Sequence, residues 1–531
     1  MKQKAKIWLL SACMAVWSSE VWGQATPVLE IADAEAWSYY DIPAELIGET
    51  VRIEAPFYVC NNYYHQSGRY TIAPHRIFSA TNQELPGTPS YRNIVSANQT
   101  AGVTLNGISD YHRMGERITS LTVRLDSRNS WTVTGTPVFN GNSRTATEAG
   151  LPDIDLRGQH TLTACAFNLE YYLVANLGSG TQGPLSETEQ ARQQTKIGKA
   201  VSRIGADVFG FVEVAQGQEA LAQLAETLTK STGRRYGYID DGSSASGTWT
   251  KSGYVYCTET LEPVGKMRSN NTGVSNRKRM QSFRDKRSGE SFIFSINHFK
   301  AKSGSGSGKD ADQGDGQGTF NYSRTQEAES VLSQYASNRS FYDEEDILIM
   351  GDLNAYAKED PIMTLVNGGM TDLHRYFHKD SSYSYVYHGQ AGYLDHALCN
   401  STMLTQVTGM AAWHINSDED DRFTYNGSLS DLTMFRCSDH DPIIVGLRLG
   451  ENMAVDVAES YTRCEVGKSG GKPVIRYADG GYFRIFSISG ELMTAGSISG
   501  SEYSVERELP QGMYIVNVYV EGRVKRTKIM F

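Results

Sequence analysis

The sequence predicts an α/β layered domain set between two smaller β-patterned modules. Three observations carry that expectation. Between residues 158 and 449, short apolar runs alternate with stretches whose apolar residues fall on helical stripes. On either side, residues 24–140 and 466–531 show short period-two runs broken by turn residues. The chain has 531 residues, 40% hydrophobic and 21% charged, a globular composition too long for one ordinary domain. Its 51 glycines and 30 tyrosines suit a loop-rich, β-rich protein, and a net charge of −10 supplies no global basic field.

In chain order, residues 1–23 read as a secretory signal peptide. Lys2, Lys4 and Lys6 precede an apolar stretch from Ile7 to Trp17, and Val21-Trp22-Gly23 offers a cleavage site. Leu10-Ser11-Ala12-Cys13 has the form of a lipoprotein box, but it leaves too short an apolar run before the cysteine. No later run approaches the roughly 18 apolar residues of a membrane span, so a secreted protein, extracellular or attached to the cell surface, is expected. In residues 24–140, Glu49–Tyr58 and Ser120–Leu125 alternate as strands, no long helix is expected, and the module has the size of a small β-barrel. Residues 141–157 read as a polar linker.

The central domain then alternates. Leu162–Phe167 is a strand running into Asn168, and Ser186–Ile204 is a helix with Ile197, Val201 and Ile204 on one stripe. Asp207–Val212 is a strand with Glu213 at its end, and Phe292–Ile296 leads to Asn297-His298. Thr325–Tyr335 is helical, Tyr393–Leu398 carries Asp395 and His396, and Ser438-Asp439-His440-Asp441-Pro442 precedes the strand Ile443–Leu449. Ser303–Gly318 reads as a flexible surface loop, with Asp310, Asp312 and Asp315 as the alternative of a second cation site. Asp418–Asp421 reads as a solvated acidic face. Residues 450–465 form a second linker. Beyond it, Met513–Val520 should pair with Arg523–Phe531 across Glu521-Gly522, within a β-sandwich of seven short strands. The six cysteines left after signal removal include no C-x-x-C pair, so no zinc site is expected, and Cys165 reads as a buried thiol.

The stretch Asp346–Tyr356 organises the domain. Ile347–Met350 has the pattern of a strand buried on both faces, and Gly351 ends it. Asp352 and Asn354, two apart in extended chain, point the same way and present a carboxylate beside an amide. A hard cation takes oxygen ligands of that kind, and a phosphate takes a donor beside the cation. Asn168, Glu213, His298, Asp395, Asp439 and His440 also lie at or near strand ends. Each alone reads equally well as a cap or turn polar; together at successive strand ends they point to a site. Phosphodiester hydrolysis needs an in-line water, a cation to offset charge at phosphorus, and help for the departing alkoxide.

The segments Ala166–Glu170, Asp207–Val214, Ile296–Lys300, Gly351–Asn354, Tyr393–His396 and Ser438–Pro442 resemble, in order, the endonuclease/exonuclease/phosphatase superfamily, the deoxyribonuclease-like fold. Asp312–Gly318 and Trp413–Asn416 are similar to segments of secreted bacterial nucleases. The resemblance implies two packed mixed β-sheets flanked by helices, with the site at one rim. It implies that Glu213 binds Mg²⁺ helped by Asn168 and Asp439, with Mn²⁺ able to substitute and Ca²⁺ at a second site. Asp352 would orient or activate the attacking water, and Asn354 would hold a phosphate oxygen. His440, paired with Asp395, and His298 would handle protons and stabilise charge. His396 stands where many relatives carry Tyr, and its role is open. The first module resembles an oligonucleotide/oligosaccharide-binding (OB) barrel. The last, with Gly512-Met513-Tyr514-Ile515-Val516 and Lys525-Arg526-Thr527-Lys528, is similar to type IX secretion sorting domains, which implies the outer-membrane type IX machinery as a partner.

Local charge bears on the substrate. From Leu261 to Lys302 ten cations stand against three anions. That surplus reads as a phosphate-backbone contact, with Arg277, Arg279 and Lys300 as the substrate-binding candidates. A lipid diesterase should show an exposed apolar loop, and no strong one is visible. The expected activity is a secreted divalent-metal-dependent nuclease acting on DNA, with RNA left open because backbone contacts carry little of that distinction. The alternatives are a phosphatase or phospholipid phosphodiesterase on the same fold, or a non-catalytic surface binding protein. Tyr58, Tyr63, Tyr64, His65, Arg69 and Tyr70 are candidates for gripping a strand on the barrel, or else for filling its core or an interface.

Overall fold

Two six-stranded sheets lie face to face at the centre of the chain. The computed structural model describes residues 26–531 apart from 32, 152–159, 179, 181, 245–248, 270–276 and 451–464 and, near the C-terminus, 470–471, 477–480, 488–491, 506, 508, 521–522 and 531. The signal peptide, the lipoprotein-like box, Cys464 and nearly all of the second linker lie outside the described residues. The first sheet runs Tyr236–Tyr238, Thr250–Cys257, Val208–Ala215, Leu162–Tyr172, Ile443–Leu447, Val407–Ala412. The second runs Leu261–Ser269, Lys278–Asp285, Ser291–His298, Ile347–Asp352, Asp395–Cys399, Thr371–Asp372. Each has one parallel pair among antiparallel ones. Their facing sides interlock through Ala164, Val208, Val212, Phe294, Met350 and Val445.

Helices cover both outer faces. Glu187–Ile204 and Glu219–Thr232 pack Ile197, Val201 and Leu224 on Phe209 and Phe211. Each of these buried side chains is worth roughly 1.5–3 kcal/mol relative to exposure. The first helix starts where Ser186 accepts from the Glu189 N–H and stops at Gly205, whose φ of 58° suits glycine. Asn321–Tyr342 and Asp360–Asn367 cover the second sheet. Covered on both sides, Ile347–Asp352 is buried at every position, which is why it reads as an unbroken apolar run.

The described part of the N-terminal module is a ring of strands. Phe57–Asn61, Arg69–Ala73, Val103–Asn106, Ser130–Val133 and Arg117–Ser127 each pair with the next, and the last pairs back to the first. Phe57, Val59, Ile72, Leu105, Val123 and Trp131 fill it. Three local expectations are corrected. Glu49–Tyr58 is not one strand but two, Thr50–Ile53 and Phe57–Asn61, broken at Pro56, which has no N–H to donate. A helix, Pro89–Ala101, stands where none was expected, opened by Thr88 accepting from the Tyr91 N–H with Pro89 at its first position. The polar linker contains a short helix, Arg144–Ala149.

Two further expectations fail for the same reason: charged residues find partners inside the protein. Asp418, Glu419 and Asp420 are 0%, 1% and 2% exposed, not a solvated face. Arg76 pairs with Asp418, Arg113 and Arg144 with Glu419, and His65 and Arg422 with Asp420. Since Arg76, Arg113 and His65 belong to the N-terminal module, this acidic run is its seam with the central domain. Ser303–Gly318 is likewise held down. Buried Arg324 donates to the carbonyls of Lys300, Gln317 and Thr319, and a Cβ on Gly316 would collide with the hydroxyl of Tyr91. Asp310 caps the helix at Ser323, while Asp312 and Asp315 accept from Gly314 and Gln317 in local turns, so all three are engaged within the protein.

In the C-terminal segment seven described strands form sheets of three and four, sharing Ile475, Phe483, Ile485, Val505 and Val516. Met513–Val520 pairs antiparallel with Arg523–Met530, the hairpin the alternation predicts. Cys60, Cys165, Cys257, Cys399 and Cys437 are buried free thiols.

Candidate active site

Strand register gathers the candidate residues at one edge. In the first sheet Asn168 lies opposite Val212, one residue before Glu213, because those strands are parallel. In the second, His298 pairs with Asp352 across a parallel ladder and Asp352 with Asp395 across an antiparallel one. Asp395 opens its strand where Asp352 closes its own, so both reach the same rim. His440 precedes the strand Ile443–Leu447, whose first residue pairs with Ala166.

Backbone geometry aims the side chains. A bulge shifts the register of Val208–Ala215 against both neighbours, between Phe211 or Val212 and Val214, and Glu213 sits in it with φ of 61°. Glu170, Tyr171 and Asn354 also have left-handed φ of 51°, 56° and 48°. Such conformations are uncommon for residues with a side chain and cluster at functional sites. Gly351, with φ of 121°, lies so close to Asn297 that a Cβ would strike its carbonyl oxygen.

Asp352 is the hub. Its Oδ2 accepts from Asn168 Nδ2 at 3.1 Å and Asn354 Nδ2 at 3.2 Å, and its Oδ1 from the Asn354 N–H at 2.9 Å. Nε2 of His298 and Nε2 of His440 stand 3.7 and 3.8 Å from the same Oδ2. His298 Nε2 is also 3.6 Å from Glu213 Oε1, and His440 Nε2 is 3.7 Å from Asp439 Oδ2. Asp395 Oδ2 lies 2.7 Å from His440 Nδ1 and accepts from Ser384 Oγ at 2.7 Å. The structure thus brings Asn168, Glu213, His298, Asp352, Asn354, Asp395, Asp439 and His440 together.

A model of the endonuclease/exonuclease/phosphatase family matches residues 173–440. The chain belongs to that family. Members are hydrolases acting on phosphodiester bonds and generally depend on a divalent metal. No curated protein matches the chain. Solved structures like it include a family member from Bacteroides vulgatus, at 14% identity and TM-score 0.36 over 54% of this chain and 98% of that one. Others are the mannosyl-6-phosphatase Bt3783 of Bacteroides thetaiotaomicron VPI-5482 (15%, 0.37, 54% and 100%) and the human Nocturnin catalytic domain (12%, 0.36, 54% and 94%).

In this family member, burial and mutual repulsion set the charges. Burial, then Asp439 and Asp352, pushes Glu213 up to about 7. Burial, opposed by His440, pushes Asp352 up to about 7, and burial with Asp439 pushes Glu170 up to about 8. The two histidines part in opposite directions. Burial, then Arg277 and His440, holds His298 well below the usual imidazole value. Burial would also lower His440, but Asp395, Asp439 and Asp352 together hold it well above. His298 is the neutral imidazole and His440 the cation.

The donor chemistry fits a hard divalent cation. Glu213, Asp352, Asp439 and Glu170 are oxygen donors, the charge of Asp439 raises the proton affinity of the other three, and Glu170 Oε2 is buried without a hydrogen-bond partner among the described residues. Asp352, Asp395 and His440 also have ligand atoms within 4.8 Å of one another. There, however, the His440 Nδ1 position is already taken by its hydrogen bond to Asp395, which disfavours a metal. Glu170, Ser384 and Tyr385 were missed as site residues; only Glu170, two after Asn168, carried a signal in its spacing.

The remaining candidates divide. Arg277 has a buried Nε without a partner among the described residues and is the leading charge acting on His298. Lys300 lies 4.1 Å from the Phe320 ring, with its affinity for a proton lowered by burial and then Arg277. Arg279 is corrected: it is 7% exposed and bound to Asp241 at 2.9 Å and to Ser269, so its charge is spent inside the fold. Lys278 is paired with Glu327, and Arg284 and Arg287, at the far end of the hairpin, with Glu262 and Asp285. The basic segment is not one face. Asn354 donates both to Asp352 and to the Phe299 carbonyl, which makes it a holder of Asp352, with no amide hydrogen left for a phosphate. His396 is buried with Nε2 2.7 Å from the Ala355 carbonyl, a structural tie. On the ring module, Tyr70 and His65 are buried, Tyr58 is half-buried, and Tyr63 and Tyr64 are 54% and 56% exposed.

Proposed function

We propose that the chain is a secreted, divalent-metal-dependent nuclease hydrolysing phosphodiester bonds of DNA, with RNA a second substrate to be tested. The observation that carries this reading is the convergence of His298 and His440 on Asp352 Oδ2, at 3.7 and 3.8 Å, with Arg277 and Lys300 on the His298 side. Glu213, with Asp439 and Asn168, would hold Mg²⁺, which supplies charge neutralisation at the phosphate. Asp352, fixed by Asn168 and Asn354, orients the attacking water and accepts its proton as the new P–O bond forms. His440, kept charged by Asp395, gives a proton to the departing oxygen as the old P–O bond breaks. His298 and Arg277 stabilise charge on the non-bridging oxygens.

The ring of five strands supports an OB-like module, because its pairing order follows that barrel. Residues 1–23 would direct export, and the paired strands of residues 466–531 would be a sorting β-sandwich read by the type IX machinery. The test is a hydrolysis panel of duplex DNA, single-stranded DNA, RNA, sphingomyelin and inositol phosphates, each with Mg²⁺ and with chelator. Cleavage of nucleic acid only with the metal supports the reading. Turnover of phosphomonoesters or sphingomyelin alone would replace it with a phosphatase or lipid phosphodiesterase.

A further inference from the structure

The hairpin formed by Tyr385–Tyr387 and Gln390–Gly392 joins the catalytic rim to the N-terminal ring. At one end Ser384 holds Asp395, and the Tyr385 ring stacks on His440, centroids 4.9 Å apart at 29°. At its middle pair, Ala391 exchanges backbone hydrogen bonds with Ile77 and Ser79, both 2.8 Å, adding a strand-like bridge between the two modules. At the turn, Gly389 lies so close to Asn61 that a Cβ would come 3.1 Å from that side chain. Asn61 in turn accepts from the Tyr63 N–H at 2.9 Å. The hairpin therefore runs from the imidazole to the turn that carries Tyr63 and Tyr64.

Along this line large rings face solvent. Tyr387 is 59% exposed, Tyr63 54% and Tyr64 56%, whereas Trp37, Phe57, Tyr70 and Trp131 fill the core of the ring module. Cations accompany them. Arg69 stands 4.8 Å over Tyr64 and Arg422 5.9 Å over Tyr63. Exposed ring faces interleaved with guanidinium groups are the surface that unpaired bases and their phosphates use. A duplex keeps its bases stacked on one another and offers these rings nothing. The seam of buried ion pairs around Asp418, Glu419 and Asp420 keeps the platform fixed relative to His440.

We infer that Tyr387, Tyr63 and Tyr64, with Arg69, form a track for single-stranded nucleic acid leading away from His440. The inference rests on the nuclease reading and adds the form of substrate and the path of its flanking nucleotides. Strand on the track would be read by stacking and not by sequence.

The test measures binding of a fluorescein-labelled oligothymidylate of about sixteen nucleotides to the full chain under chelation, by anisotropy, for wild type, Tyr387→Ala and Tyr63→Ala/Tyr64→Ala. Each lost stacking ring should weaken binding at least about fivefold, the phenylalanine variants should bind like wild type, and duplex of equal length should bind no better in wild type than in the alanine variants. Turnover of bis(4-nitrophenyl) phosphate with Mg²⁺ should stay within about twofold, since none of the three touches the reacting phosphate. Unchanged oligothymidylate binding in an alanine variant that folds and turns over the small diester overturns the track. If wild type still cleaves DNA in that case, the nuclease reading stands without it. Competition by neutral oligosaccharide as strong as by oligothymidylate would also overturn it, in favour of a carbohydrate surface. A wild type that cleaves no nucleic acid at all overturns the nuclease reading itself.

Discussion

Asp395→Asn separates charge from geometry at the most consequential contact of the site. Asp395 Oδ2 receives both His440 Nδ1 and Ser384 Oγ at 2.7 Å, and an amide oxygen at that place can still accept both. What disappears is the negative charge that, ahead of Asp439 and Asp352, holds His440 above the usual imidazole value against its burial. A hydrogen bond to a charged group is worth about 1.5–3 kcal/mol, so turnover at neutral pH should fall by roughly 10- to 150-fold. The sign is fixed. His440 acts as the cation, so its deprotonation sets the alkaline limb of kcat/KM, and removing Asp395's charge moves that limb to lower pH. The same linkage applies to stability. A raised His440 contributes stability in full below the unfolded imidazole value near about 6.5 and loses it as pH rises through the folded value. The variant should lose the largest part of that contribution, since Asp439 and Asp352 remain. The assay is kcat/KM on a soluble phosphodiester between about pH 5 and 9 with saturating Mg²⁺, alongside thermal unfolding. An alkaline limb that does not move would refute His440 as the charged acid.

The other expectations are these. Chelation should abolish hydrolysis, and restored Mg²⁺ should both return it and raise the melting temperature, by about 2.7 kcal/mol of stability at a hundredfold excess over Kd; full activity after exhaustive chelation would exclude the metal role. His298→Ala should lower kcat by at least about two decades with an unchanged melting temperature, and a near-normal kcat would remove it from the charge-stabilising role. Glu419→Ala, which strands Arg113 and leaves Arg144 with Asp431 alone, should cost about 3–5 kcal/mol by denaturant unfolding, and a loss below about 1 kcal/mol would show that the seam is not an electrostatic tie. Deleting residues from about 466 onward should leave an active enzyme retained in the cell envelope of its native host, and normal secretion would refute the sorting role.

Where local pattern and final burial agree, the fold was legible in the sequence. The alternating apolar runs located the central strands, and the polar residues following them located the rim, because a parallel or antiparallel ladder puts matching strand ends at one edge. What escaped was whatever depended on partners far along the chain. Asp418–Asp420 looks solvated in sequence because Arg76 and Arg113 lie hundreds of residues away. Ser303–Gly318 has the composition of a flexible linker, yet Arg324 ties its end and Tyr91 packs on Gly316. Arg279 and Lys278 count as surplus charge until Asp241 and Glu327 fold onto them. Pro89–Ala101 carried its start signal in Thr88-Pro89, but it buries little beyond Ala101, so no apolar stripe marked it.

The seam also decides what the N-terminal ring can be asked to show. A tethered binding module could be deleted, leaving the catalytic domain intact and only its grip on long substrates weakened. Here deletion would remove Arg76, Arg113 and His65, leaving nearly inaccessible Asp418 without its paired arginine and Glu419 and Asp420 with only Arg144 and Arg422. It would also strip the backbone partners of Ala391 from the hairpin whose Ser384 and Tyr385 brace Asp395 and His440. Uncompensated buried charge costs several kcal/mol per site, comparable to the whole stability of an ordinary domain. Loss of activity on every substrate is therefore the expected outcome of the deletion, and it would follow whether or not the ring binds anything. The ring braces the site through the hairpin, and the proposed binding role rests on Tyr63, Tyr64 and Arg69 at its surface. Only substitutions at those exposed positions, with the seam intact, distinguish the two.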